Sequence, residues 1–169
     1  MVVLGLDPGT AIVGWGVIDT GPKHNVQSAR CLAYDCFQTD KEMSDSKRLF
    51  AVANGLTALL ERYHPELVSV EKLFFSHNQT TVMTVSQARG VLLLIVEQHG
   101  IPLIEFTPLQ IKQALTGYGK AEKRQIQEMV RMILKLPGIP KPDDAADALA
   151  AALTAAQTVR LTQGVLVVP

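Results

Sequence analysis

Three aspartates, Asp143, Asp144 and Asp147, fall within five positions of KPDDAADALAAAL, and the chain then carries no charge until Arg160. Helix N-termini welcome carboxylates, which accounts for Asp143 as a cap after Pro142 and also for Asp144. Asp147 lies a turn further into an apolar segment, where neither role applies. Asp144 and Asp147, three residues apart, share one helix face. Two more acids stand at strand ends: Asp7 closes VVLGLD before the turn PGT, and Glu71 comes near the end of ELVSVEK. Four carboxylates in one crevice would repel and retain protons unless cations neutralised them. Hard divalent ions such as Mg²⁺ take oxygen ligands and keep several waters. Two such ions, ~3.5–4 Å apart, clamp the attacking and leaving oxygens of an in-line phosphoryl displacement. The chemistry implied is metal-dependent phosphodiester cleavage. No cysteine–histidine pattern supports zinc, and no serine-nucleophile motif or Walker loop is present.

The charge distribution agrees. Net charge is zero, yet from Gln110 to Lys141 seven basic residues face only Glu122 and Glu128. These are Lys112, Lys120, Lys123, Arg124, Arg131, Lys135 and Lys141. A basic stretch running into an acidic cluster suits a site that holds phosphates and metal ions together.

The elements that must position these groups follow from periodicity and punctuation. VVLGLD, VGWGVIDT and VQSARCLAYDCFQT read as strands joined by turn-rich segments, an antiparallel meander. Apolar residues at helical spacing predict a helix over 44–63, stopped by Pro65. ELVSVEK is a short strand, LFFSHNQ a loop, and 80–98 a second helix ending at Gly100. That helix is apolar nearly all round, so another copy of the chain is expected to cover one side. IPLIEFT is a further strand; PLQIKQALTG and AEKRQIQEMVRMILKL are helices. The last helix is expected over 143–163, after the break marked by Pro137, Pro140 and Pro142. A meander followed by alternating helices and strands predicts a five-stranded mixed sheet with helices on both faces, an α/β fold. The first, fourth and fifth strands should pair in parallel, with the functional crevice beyond their carboxyl ends.

The totals set bounds. A chain of 169 residues with 47% hydrophobic and 19% charged residues can bury a real core and reads as one domain over 1–169, its last few residues a flexible tail. No apolar run approaches the ~20 residues needed to span a bilayer, and the N-terminus lacks the basic region of a secretion signal. Cys31 and Cys36, an odd number apart, should lie on opposite faces of one strand and remain reduced thiols, pointing to the cytoplasm.

GLDPGT, VSVEKLFF, SQARG, IKQALTGYGKAEK, MVRMILKLP and DAADALAAAL, in this order over about residues 2–160, resemble the RuvC-type crossover junction endonucleases. The resemblance implies a ribonuclease H-like fold and a homodimer that cuts opposed strands of a four-way DNA junction. It implies two Mg²⁺ or Mn²⁺ ions per active site, held by Asp7, Glu71, Asp144 and Asp147 as metal-ligating, catalytic carboxylates. Asp143 has no counterpart in the motif and is left as a helix cap, with a ligand role as the alternative. Lys112 and Lys123 match lysines that face the DNA backbone, and Lys120 lies between them. Phe74 stands where the family carries an aromatic that stacks on a junction base, with Phe75 competing for the role. Lys72 departs from the uncharged polar residue usual there and is a candidate phosphate contact. Association with a RuvA–RuvB branch-migration complex is a further implication.

Two rival readings differ in class. A ribonuclease H-like nuclease acting on RNA–DNA hybrids or duplexes would share the four acids but needs no dimer. GLDPGT before a β-hairpin also resembles the first phosphate motif of actin-like ATPases, but those need a second glycine-rich loop that this chain lacks.

Overall fold

A computed structural model describes the chain except for residues 10, 23, 41, 73–78, 163–164 and 168–169, and except for the side chains of 79–81 and 160–169. Five strands form one sheet in the order β3-β2-β1-β4-β5. They are β1 (Val2–Pro8), β2 (Ile12–Asp19), β3 (Arg30–Gln38), β4 (Leu67–Glu71) and β5 (Leu103–Phe106). The first three form the expected antiparallel meander, and β1, β4 and β5 pair in parallel. The α/β architecture of a five-stranded mixed sheet with helices on both faces is as the sequence predicted.

Two helices, α1 (Asp45–Tyr63) and α2 (Gln79–Gln98), cover one face. Leu4, Leu6, Val13, Val17, Val68 and Val70 meet Val52, Leu56, Leu60, Leu92 and Val96 in a core of branched side chains. His64 closes α1 in the left-handed region, φ 44°. Across α2, Arg89 forms an ion pair with Glu105 on the edge strand.

The other face belongs to α3 (Pro108–Thr116), α4 (Lys123–Ile133) and α5 (Asp143–Thr158). Thr107 caps α3, accepting from the Gln110 backbone N–H at 3.2 Å while the Gln110 side chain accepts from the Thr107 N–H at 2.8 Å. Helix α5 runs across β1 and β2 with eleven of its sixteen residues buried, ten of them alanine or leucine, packed against the sheet and α3–α4.

Three local expectations need correction. The last helix stops at Thr158 rather than near residue 163. Beyond it, Arg160–Thr162 (β6) and Val165–Val167 (β7) pair as a separate antiparallel ribbon where helix and then tail were expected. Cys31 and Cys36 are both unbridged, but they share one face instead of opposing each other. The register of β2 on β3 slips between Val17 and Ile18, so Leu32 is an extra residue and the alternation resets across it. Cys31 therefore packs on the α5-side core, and Cys36 lies near Asp144. Their partners on β2, Ile18 and Gly14, stand four residues apart, roughly 13 Å, far beyond disulfide reach. Finally, Pro142 occupies the cap position of α5, and Asp143 is the first residue inside.

Candidate active site

Strand alternation places Asp7 and Glu71. Residues 3, 5 and 7 of β1 and residues 67, 69 and 71 of β4 face α5, while Leu4, Leu6, Val68 and Val70 face α1 and α2. Leu6 and Val70 are register partners, so Asp7 and Glu71 emerge side by side at the carboxyl ends of adjacent parallel strands. This is the crevice that parallel sheets offer to ligands.

What brings α5 to that crevice is a strip of small residues. A Cβ at Gly5 would lie 1.9 Å from the Ala148 carbonyl oxygen, and one at Gly14 would lie 2.1 Å from that of Asp144. Gly16 would meet Leu149 Cγ at 2.6 Å. Buried Ser69 donates its hydroxyl to the Ala151 carbonyl at 2.9 Å. These residues let the helix backbone lie directly on the strands, with its first turns over Gly14 and Asp7. They went unremarked in the sequence reading, although the alternation of Gly14 and Gly16 in VGWGV was the signal for them.

Asp144 and Asp147 descend from α5 into the same electrostatic neighbourhood. Burial raises the Asp7 carboxyl well above its ordinary range, and Glu71, Asp147 and Asp144 raise it further. Burial, then Asp147, lifts Glu71 to about 7, against the pull of Lys123 and Lys112. Asp147 is also raised, because burial outweighs its hydrogen bond to Lys123. Asp7, Glu71 and Asp147 thus share too little positive charge to ionise together readily.

Two lysines border the cleft, which has a volume of about 220 Å³ and is lined by Glu71, Lys112, Lys123 and Asp147 among others. Lys112 comes from α3. Lys123 opens α4, and its Nζ lies 3.0 Å from Asp147 Oδ2 and 3.8 Å from Asp143 Oδ2. Burial opposes the charge on Lys123, but its hydrogen bond to Asp147 prevails and holds the ammonium on. Asp143 binds Lys141 Nζ at 2.6 Å, which keeps its carboxyl below the usual range.

The remaining sequence candidates separate by place. Lys120 is exposed and borders a different, open depression with Tyr118 and Arg124, so the structure does not bring it into the cleft. Lys72 is exposed at the end of β4, its backbone N–H bonded to the Phe106 carbonyl at 2.8 Å, and it does not line the cleft. Phe74 and Phe75 lie outside the described residues. A second cavity, between the β1–β2 turn, α1 and α2, has room for only about 20 Å³, a single water, and lies away from the acids.

A divalent metal fits this donor set. The oxygens are hard, and the shifted carboxyls of Asp7 and Glu71 mark a deficit of positive charge that such an ion would fill. Among the described residues no three of the ligand-type side chains already close into a cage. Glu71 and Asp147 line the cleft, with the ammonium of Lys123 on Asp147, and Asp7 lies within electrostatic reach of both and of Asp144.

Known proteins match the chain in sequence and in fold. A family model for the crossover junction endodeoxyribonuclease RuvC matches residues 3–155. The chain is 52% identical over 157 residues to the crossover junction endodeoxyribonuclease RuvC of Brevibacillus brevis, covering 93% of this chain and 92% of that one. It is 51% identical over 150 residues to that of a Roseiflexus species, covering 89% and 87%. Its fold superposes with a TM-score of 0.81 and 35% identity, over 92% of each chain, on T. thermophilus RuvC in complex with Holliday junction substrate. Matched in sequence over nearly its whole length and in fold over 92% of its residues, the chain belongs to the RuvC family of crossover junction endodeoxyribonucleases.

Proposed function

We propose that this protein resolves four-way DNA junctions by hydrolysing phosphodiesters on opposed strands, with Asp7, Glu71, Asp144 and Asp147 as its catalytic, metal-holding carboxylates. The observation that carries the assignment is two strand-end acids and two helix acids within electrostatic reach of one another, Glu71 and Asp147 lining a cleft with Lys112 and Lys123. Two Mg²⁺ or Mn²⁺ ions held there supply charge neutralisation at the scissile phosphate and an acidified water. Asp7 and Glu71, fixed on adjacent strands, set the floor of the site, while Asp144 and Asp147 approach it from the rigid α5. Lys112 and Lys123 hold the phosphate backbone at the cleft mouth, each as a fixed cation whose contribution falls with salt. Hydrolysis would leave a 5′-phosphate and a 3′-hydroxyl.

Paired cutting needs two sites, and α2 supports a second copy. Its inner face buries Val85, Ala88, Leu92 and Val96, while Met83 and Leu94 are 70% and 56% exposed on the outer side, with Gly90 open between them. An apolar outer face with a small residue at its centre suits helix packing against another chain. Among the described residues no helix is long and apolar enough to cross a membrane, and the reading places the protein in the cytoplasm, with the DNA it would act on.

The test is cleavage of a synthetic mobile four-way junction, with linear duplex and RNA–DNA hybrid as controls, in Mg²⁺ and separately in Mn²⁺. Symmetric nicks on one opposed strand pair, absent from the duplex, are expected. Asp144→Asn should abolish cutting while junction binding survives. Cutting of the hybrid in preference to the junction would replace this function with the rival nuclease reading.

A further inference from the structure

The position of Lys123 raises a question that phosphate binding alone does not answer. Its Nζ lies within the carboxylate cluster, 3.0 Å from Asp147 Oδ2, so the ammonium and a divalent ion compete for the same oxygens. Asp143 stands on the outer side of that contact, 3.8 Å from the same Nζ and with its side chain 44% exposed at the rim. A movement of about an ångström would exchange one partner for the other, on a side chain with four rotatable carbons and 54% of its surface already open. Buried Gln127, from α4, also hydrogen bonds Asp143, and Lys141 donates to Asp143 Oδ1 at 2.6 Å, so two further partners hold this acid in place.

From this geometry we infer that Lys123 is a built-in counter-ion that occupies Asp147 until a divalent ion takes that carboxylate, and that Asp143 is the positioning residue that receives the displaced ammonium. The inference rests on the carboxylate site proposed above and adds a division of labour to it. The exchange moves the positive charge outward, to the rim where a DNA phosphate would enter. Asp143 then contributes to metal binding without touching the metal, by giving Lys123 somewhere to go. Its charge, its two anchors and its position outside the pair Asp144 and Asp147 all follow from that role.

The experiment is binding of Mn²⁺ alone to the DNA-free protein, followed by the electron paramagnetic resonance of the free ion. It is done at pH 8.5, above the Glu71 value of about 7, so that Glu71 holds no competing proton. Removing the competitor in Lys123→Met should tighten Mn²⁺ binding about five- to tenfold, the scale of one half-exposed charge beside the site. Asp143→Asn should weaken it about fourfold when Lys123 is present, and by less than about twofold in the Lys123→Met background. Asp143→Glu should restore the wild-type affinity. Lys123→Gln serves as the second variant should the methionine misfold, and melting in chelator verifies each fold. Unchanged or weaker binding in both Lys123 variants overturns the counter-ion role. An Asp143→Asn effect of equal size in both backgrounds overturns the exchange, since it would then be long-range attraction only. Absence of Mn²⁺ binding in the wild type and in every variant would instead remove the carboxylate site on which the inference stands.

Discussion

The two faces of the sheet are packed by different rules. Against α1 and α2 the strands present branched side chains, and the layers sit a full side chain apart. Against α5 they present Gly5, Gly14, Gly16 and Ser69, and backbone meets backbone. Even the close glycine of the first face, Gly55, abuts the Phe37 ring, whose side chain can shift, whereas a Cβ on Gly5 or Gly14 would strike a carbonyl. The lesson is that stability and placement are separable here. Both layers bury bulky apolar side chains, but only the thin one holds two acids of α5 within electrostatic reach of two acids on the strands. A site needs its groups fixed to fractions of an ångström, and side-chain-thick packing has too many rotamers to guarantee that.

Substitution can break this contrast. The largest effect is expected from Gly14→Ala, whose methyl group meets the Asp144 carbonyl and Cβ. Lifting the start of α5 by about an ångström should cost on the order of 10²-fold in junction cleavage, with a loss of about 1–3 kcal/mol in urea unfolding. Cleavage near the wild-type rate would show that α5 placement tolerates the shift. Leu56→Ala, fully buried in the opposite layer, should cost about 2–5 kcal/mol yet leave the Mn²⁺ affinity of the folded protein unchanged. A change in affinity would join the two layers that the packing separates.

Acid–base behaviour sharpens the same contrast. Glu71 sits at about 7 when folded, against an ordinary 4.5, and Asp7 and Asp147 are shifted in the same direction. A raised folded pKa favours the folded state below the unfolded value, and that contribution disappears as pH climbs through the folded one. In chelator, the melting temperature should therefore fall between about pH 5 and pH 8, and saturating Mg²⁺ should flatten the slope. Leu56→Ala should keep the slope at a lower melting temperature; a melting curve independent of pH in chelator would mean that the acids are not so crowded. The smallest effect is expected from Gly90→Ala. Nothing lies within 4 Å of its added Cβ, so helix propensity should stabilise the monomer by up to about 1 kcal/mol. The same glycine-to-alanine change thus has opposite signs on the two faces. Sedimentation of this variant also probes the outer face of α2, where weaker self-association is expected.

Much of the site was legible in the chain itself, because the information was local. Period-two alternation and turn residues gave the order and direction of the strands and set Asp7 and Glu71 at adjacent strand ends. A three-residue spacing put Asp144 and Asp147 on one helix face. Motifs in register over most of the length pointed to the family that the comparisons bear out. The role of each lysine was less legible. Lys112, Lys120 and Lys123 belong to one basic stretch, yet only Lys112 and Lys123 reach the cleft. That sorting depends on the angle at which α3 and α4 pack on α5, and no spacing within the stretch encodes it.

What the sequence by itself determined was the fold class, the succession of strands and helices, and which acids stand at the ends of elements, since each follows from patterns among near neighbours in the chain. Tertiary structure decided the rest. A slipped register between β2 and β3 put Cys31 and Cys36 on one face, a choice made by the pairing strand. Close approach across the sheet gave Gly5, Gly14 and Gly16 their purpose. The meeting of Lys123 with Asp147 and Asp143 joins residues twenty or more positions apart. Such contacts depend on how whole elements pack, which only the folded chain specifies.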